Sequence, residues 1–455
     1  MNIEIEKSNV FFRNWRRSYP LINRGEGVYL YDTEEKRYLD AIGGMFVVTI
    51  GYGVTEVAEA IAGQAQKLCF LNNVRFTNEP QELLASKLIE KAPTGMDRVF
   101  FVTSGSGANE VAFQIARIYH RERGKSSKYR FIAQWHNYYG YSVAAISMSG
   151  DFNTRRTLGV EPYALKFPHI QAPHCYHCPF GVTYPSCQLT CANELALTIE
   201  REGPDTIAAF IATPIIGGTG GAIVPPPGYF ERIREICDFY DILFIADEVI
   251  TGLGRLGKNF GIEHWDVIPD IITLGKTLGS GYASIGAVMM QKHIWDTFVN
   301  SEIPGTPLGF TYSGHPTSCA GALAVQNYLA KHNLIERAEV MGNYLKGELK
   351  KLADREALIG DVRGRGLFLG VELVQDRKTR KPFPRSTKLQ EKIVKEALEQ
   401  GVVIAGRIGT ALGIDGDHIS ICPPLIITES ECDEIVAALE ASIKQVKKSL
   451  DLVTA

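Results

Sequence analysis

Asp241-Ile-Leu-Phe-Ile-Ala-Asp247-Glu248-Val249-Ile250 and, further along, Ile271-Ile-Thr-Leu-Gly275-Lys276 are short apolar runs that each end in an ionisable residue. The first is continuously apolar from Ile242 to Ala246, follows turn signals and is too short for a helix. A strand covered on both faces of a parallel sheet reads this way. Open α/β sheets hold their ligands outside the carboxyl ends of such strands. Asp247 and Lys276 are therefore expected at one edge of one sheet. Taken bare, an acid and a lysine so placed are more often an ordinary ion pair than a site, so the rest of the chain has to decide.

Outward from this stretch the pattern is strand, turn, helix, repeated. Strands are expected at 98–103, 129–134, 207–212, 242–246, 271–274 and 285–290, and helices at 108–123 and 229–238. That alternation predicts an α/β domain with a mostly parallel sheet. Towards the N-terminus, residues 1–24 are polar and aromatic by turns (Phe11, Phe12, Trp15, Tyr19) and read as an arm. Gly25 to Asp40 reads as a hairpin around Asp32-Thr-Glu-Glu-Lys36, residues 43–53 as a glycine-punctuated loop, and 57–68 and 80–91 as helices. After about residue 315 come long amphipathic helices (320–331 and 334–352), strands at 367–373 and 401–405, and a last helix over 429–450. The expected division is an arm and part of a small domain (1–60), a large domain (61–314) and the rest of the small domain (315–455).

Composition sets the outer bounds. The chain has 455 residues, 45% hydrophobic and 22% charged, which is ordinary for a globular protein large enough for two domains. A net charge of -3 with interspersed signs gives no reason to expect nucleic acid or an acidic membrane surface. The first residues lack a basic stretch followed by an apolar one, and no apolar run approaches a membrane span. A cytoplasmic protein with nine reduced cysteines is the expectation.

Four further motifs carry possible chemistry. Thr103-Ser-Gly105-Ser106-Gly107-Ala-Asn-Glu110 joins a strand to a helix, where small residues and a helix start suit a phosphate. It is neither a dinucleotide fingerprint, since Glu110 stands where a third glycine belongs, nor a P-loop, and a plain helix cap is the competing reading. Trp135-His-Asn-Tyr138-Tyr139-Gly140 ends the next strand and offers either a ring to stack on a flat cofactor or simple core packing. Gly309-Phe-Thr311-Tyr-Ser-Gly-His315 is a polar loop of no intrinsic specificity. Cys175, Cys178, Cys187 and Cys191, with His174 and His177, are spaced like zinc ligands. The inner loop is short for a zinc ribbon, however, and a large domain needs no staple, so reduced cysteines and no metal are expected. With Gly275, Gly279 and Gly281 around the lysine, Asp247 and Lys276 suggest a pyridoxal phosphate site, the acid on the pyridinium nitrogen and the lysine in a Schiff base.

Together these motifs resemble the class III (subgroup II) aminotransferases of fold type I. The likeness runs from Gly25-Glu-Gly-Val-Tyr-Leu-Tyr-Asp to Pro423-Pro-Leu-Ile-Ile-Thr428. Its most specific part is Asp247-Glu-Val-Ile-Thr-Gly-Leu-Gly-Arg255-Leu-Gly-Lys-Asn-Phe with Pro269-Asp-Ile-Ile-Thr-Leu-Gly-Lys276. The resemblance implies pyridoxal 5'-phosphate as cofactor, Lys276 as its tether and proton carrier, and Asp247 on the ring nitrogen. It further implies phosphate binding by Gly105 and Ser106, and Tyr138 and Val249 against the two ring faces. Thr311 would reach the phosphate of a neighbouring subunit in a homodimer with shared active sites. Phe46 stands where related ω-transaminases often carry tryptophan. Arg407 is the nearest match to a mobile carboxylate-binding arginine, displaced ahead of a lengthened loop over 408–418.

Two departures bear on the substrate. Ser106-Gly107 replaces a serine followed by an acid, and Thr213-Pro214 replaces Glu-Pro. In the family a glutamate there pairs with the mobile arginine whenever an uncharged side chain fills the pocket, and threonine cannot. The resemblance therefore implies transfer of an amino group from an amine or ω-amino acid to a small 2-oxo acid, with pyruvate preferred over 2-oxoglutarate. An aminomutase, racemase or decarboxylase on the same scaffold, or a cofactor-binding sensor without turnover, are the alternatives.

Overall fold

The computed structural model describes residues 2–3, 8–302 and 305–450. Near the N-terminus, β1 (Ile22–Glu26), β2 (Tyr29–Asp32) and β3 (Arg37–Asp40) run antiparallel. The expected turn closes because the Asp32 carboxylate accepts from the N–H groups of Glu34 and Lys36, which satisfies the backbone locally. The glycine-rich loop that follows contains one tight helical turn, Gly43–Phe46, bent by left-handed backbone at Gly44, Met45 and Phe46. Helices then run over Thr55–Lys67 and Glu79–Lys91.

The main sheet contains β4 (Met96–Val102), β5 (Arg130–Gln134), β6 (His169–Ile170), β7 (Ile207–Ala212), β8 (Leu243–Asp247), β9 (Ile271–Leu274) and β10 (Gly286–Gln291). Their order is β4-β10-β9-β8-β7-β5-β6, and β10 alone runs against the others. Every residue of β7 and β8 is buried. Alternate residues face two different apolar layers. Phe210 and Phe244 pack among Phe230, Trp265 and Ile262, whereas Ile211 and Ile245 pack beneath Val111 and Ile115 of helix α1 (Gly105–Glu122). Burial on both faces is why these strands read as unbroken apolar runs rather than as alternation. Helix α1 starts three residues before the expected Ala108, because the Ser104 hydroxyl caps it by accepting from Gly107 N–H at 3.1 Å.

Beyond the long helices Pro316–Lys331 and Leu334–Arg355 lies a second sheet with its own apolar core. It contains β11 (Ile359–Arg365), β12 (Phe368–Asp376), β14 (Ala405–Ala411) and β15 (Asp415–Ile421), in the order β11-β12-β15-β14. The short β13 (Val402–Val403) pairs in parallel with β3, so strands from both ends of the chain share one sheet. Strand β11 carries Gly360, Asp361, Arg363 and Gly364, which hid it from a reading based on apolar pattern. The expected long loop over 408–418 is instead a hairpin, with β14 and β15 joined where Leu412 and Gly413 take left-handed backbone. Its glycines (Gly406, Gly409, Gly413, Gly416) imitate loop composition, and Arg407 consequently sits on a strand. A capped helix, Glu429–Ser449, completes the described chain. Among the described residues no helix is long and apolar enough to cross a membrane.

Candidate active site

The carboxyl ends of β8 and β9 open into a cavity of about 390 Å³, within the range of small-molecule sites. Strands β8 and β9 are neighbours, with Asp247 registered against Thr273, so Asp247 and Lys276 reach the same side of the sheet. Both line the cavity, as do Gly105, Ser106, Tyr138, Val249, Phe46 and Arg407. Of the candidates read from the sequence only Thr311 lies elsewhere, exposed on a turn outside this cavity.

Asp247 is buried, and each of its oxygens is held. One accepts from Val249 N–H at 2.9 Å and the other from the Asn109 amide, also at 2.9 Å. Asn109 is itself fixed by donating to Tyr139 C=O at 2.7 Å. Burial raises the Asp247 carboxyl above its ordinary value, and Asn109 only partly offsets this. A buried acid of this kind is completed by a cationic N–H. Burial pushes the Lys276 amine the other way, down from its ordinary value, which favours a neutral nucleophile. Lys276 also has φ of +40°, a left-handed conformation costly for a side-chain-bearing residue and of a kind that clusters at functional sites. The turn after it is tied down by Ser280, whose hydroxyl accepts from Thr49 and Ile50 N–H at 2.8 and 3.1 Å. That tie sets the 43–53 loop, and with it Met45 and Phe46, at the edge of the cavity.

Gly105 and Ser106 form the first turn of α1, where N–H groups and the helix dipole favour an anion. A Cβ on Gly105 would stand 2.8 Å from a Val249 methyl, so glycine is required for the loop to approach this closely. A flat ring with a phosphate at one end and a basic nitrogen at the other matches the donors and acceptor that face this cavity. Glu110 is occupied elsewhere, accepting from Ala144 N–H at 3.0 Å. The aromatic stretch divides between its two readings. Trp135 stacks on Phe152 and His169, and Tyr139 is buried with its hydroxyl donating to Ile211 C=O, whereas Tyr138 faces the cavity.

Elsewhere in the lining, Thr213 donates to the Asn137 side chain at 2.6 Å rather than meeting an arginine. Arg407 has a counter-ion that the sequence did not reveal, Asp151 at 2.5 Å. Asp151 is buried and caps the helix Phe152–Leu158, so the pair is anchored on the Asp side. Phe46 packs edge-on to Phe368, and a Cβ on Gly218 would collide with its ring at 2.7 Å.

Behind the Gly217–Thr219 wall lies a buried ionic group. Glu372 bonds Arg363 at 2.6 Å and His177 at 2.8 Å, and Arg363 donates to Gly220 C=O at 2.9 Å. His418, held neutral by burial, donates to Gly218 C=O at 2.9 Å and accepts from Thr410. His174 and His177 therefore face Glu372 and not the cysteines. Cys175, Cys178, Cys187 and Cys191 are free thiols, and among the described residues no three metal-ligating side chains are grouped as a metal site.

The model of the family described as "Aminotransferase class-III" matches residues 12–443. This chain belongs to the class III aminotransferases. It is similar to an aminotransferase of Bacillus subtilis (strain 168), YodT, at 41% identity over 95% of this chain and 97% of that protein. A taurine–pyruvate aminotransferase of Bilophila wadsworthia is 37% identical over 94% of this chain and 93% of its own length. The ω-transaminase of Pseudomonas jessenii solved in complex with PMP superposes with a TM-score of 0.91 at 33% identity, over 98% of each chain. A class III aminotransferase of fold type I is a pyridoxal-phosphate-dependent transaminase, acting on amines and keto acids.

Proposed function

We propose that this transaminase moves an amino group from an amine or ω-amino acid to a small 2-oxo acid, pyruvate in preference to 2-oxoglutarate, by a ping-pong sequence of two half-reactions. When bound, pyridoxal phosphate supplies an electron sink for the substrate carbanion. The chain's own residues supply the rest. Lys276 takes the proton from the substrate Cα and returns it, a task helped by burial, which lowers the amine below its ordinary value. Asp247, held by Asn109 and Val249 N–H, provides the fixed negative charge that keeps the ring nitrogen protonated. Gly105 and Ser106 would hold the phosphate, and Tyr138 and Val249 would confine the ring. Tyr138 and the buried Phe46 would help to keep water from the reacting carbon.

The observation that carries the choice of acceptor is the Arg407–Asp151 pair beside Thr213. An arginine already neutralised by a buried acid has little reason to turn towards a second carboxylate, since Asp151 would then be left buried and unpaired. Measuring kcat/KM for both acceptors with one common donor tests this. A preference for pyruvate of about tenfold is expected, which needs only ~1.4 kcal/mol of discrimination. Equal or better use of 2-oxoglutarate would refute it.

A homodimer with shared sites is part of the same reading, Thr311 serving the neighbouring subunit's phosphate. Support comes from the exposed Phe70 and Tyr312, whose rings meet, with Phe310 two residues before Tyr312, since grouped exposed aromatics mark an interaction surface. Light scattering should give twice the mass of one chain.

A further inference from the structure

The cavity is lined by a second arginine that comes from the N-terminal arm. Arg13 is exposed, whereas Asp247 is buried, so Arg13 marks the solvent end of the cavity. Among the described residues no carboxylate pairs with it. The arm around it is not loose. Phe12 stacks on Tyr19 with ring centres 4.6 Å apart, the Tyr19 hydroxyl accepts from Asn14 N–H at 3.2 Å, and it lies 3.1 Å from Asn14 C=O. Arg17 lies over the other side of that closure, 4.9 Å from the Tyr19 ring centre. Residues 12–19 thus form a small closed loop that carries Arg13 to the mouth. Both Arg13 and Arg407 act electrostatically on the Tyr138 hydroxyl, opposing the burial that raises it.

Apart from Asp247 and Lys276, the charged lining residues are Arg407, which is paired with Asp151, and Arg13, for which no carboxylate partner is present among the described residues; Thr213, Thr219, Asn137 and Ser420 are neutral. The apolar lining (Met45, Phe46, Ile250) leaves little else there to hold an anion. We propose that Arg13 is a specificity-determining residue that binds one anionic group, a carboxylate or sulfonate, at the end of the substrate remote from the reacting amine. This rests on the amino-transfer reading above and narrows its donor class to amines with a single terminal acid group. A guanidinium matches such a group bidentately, and the closed arm lowers the entropy lost in ordering it.

The test compares 3-aminopropanoate and 2-aminoethanesulfonate with propylamine as donors, for the wild-type holoenzyme, R13Q and R13K. Wild type should favour the acidic donors in kcat/KM. In R13Q the ratio of acidic to neutral donor should fall at least tenfold, chiefly through KM, and R13K should restore part of it. If only one acid responds, Arg13 distinguishes carboxylate from sulfonate. An unchanged ratio, an equal loss for both donor kinds, or a wild-type preference for propylamine would overturn the assignment. Turnover of no donor by wild type would instead strike the amino-transfer reading. In that event calorimetric titration of propanoate still decides on Arg13: an affinity at least fivefold weaker in R13Q supports it, and equal affinities overturn it.

Discussion

Asp247 and Lys276 come from adjacent strands of one sheet, and the groups that steady them, Asn109, Val249 and Ser280, are on the helix and turns that leave the same sheet. Arg407, Asp151, Phe46 and Arg13 come from four separate segments: a hairpin, a capped helix, a strained loop and the N-terminal arm. The inner end of the cavity is thus built on rigid, doubly covered strands, and the outer end on pieces that can vary without disturbing the sheet. On the proposed roles, chemistry that tolerates little displacement falls to the first, and discrimination between substrates to the second.

Substitutions at the two ends should therefore differ in kind as well as in size. The largest expected effect is that of Lys276→Ala, which on the proposed roles removes the cofactor tether and the proton carrier together. Amino transfer should fall by roughly 10³-fold or more while the chain stays folded, and borohydride should no longer fix cofactor to the protein. Peptide mapping that finds the wild-type label on another lysine would break the inner-end assignment.

Glu372→Gln probes the buried ionic group behind the Gly217–Thr219 wall. Burial alone would raise this carboxyl, yet Arg363, then His177, hold it at about 2, below its ordinary 4.5. Its contribution to stability is therefore complete above about pH 4.5 and is lost as pH falls towards 2. Removing the charge leaves Arg363 buried without its strongest partner, which should cost about 3–5 kcal/mol in denaturant unfolding at neutral pH. The wild-type minus variant difference should shrink on acidification. A difference that is constant with pH would show that the loss is one of packing.

Asp247→Asn should lower kcat by about 10²-fold while the cofactor still binds, because a neutral amide cannot hold the ring nitrogen protonated. Near-normal turnover would reduce the acid to a structural role. The smallest effect sharpens the outer end. Asp151→Asn keeps a side-chain oxygen for the helix cap but removes the charge opposite Arg407. The ratio of 2-oxoglutarate to pyruvate in kcat/KM should rise by about fivefold to tenfold, and an unmoved ratio would show that Arg407 takes no part in choosing the acceptor.

This difference between the ends is also the difference in what the amino-acid sequence makes legible. Continuous apolar runs ending in Asp247 and Lys276 reveal doubly buried strands, since nothing else that short buries both faces, and their register places both residues on one edge. The glycines of Gly105-Ser-Gly107 reveal a close approach that the Val249 methyl enforces. Asn109 was in plain view within the same motif, but one amide a turn inside a helix carries no signal until its partner is known. The hairpin around Leu412 and strand β11 were missed because glycine and charge there look like loop, while their burial comes from packing against other strands.

The sequence alone determined the α/β sheet, the acid and the lysine at its edge and the small-residue helix start beside them, because each follows from local pattern and from where a strand of a given length must end. Only the tertiary structure decided that Arg407 meets Asp151, that Thr213 turns to Asn137, that His177 meets Glu372 and that Arg13 reaches the cavity mouth. Those pairs join residues far apart in the chain, and charge complementarity between distant side chains leaves no mark on the sequence around either one.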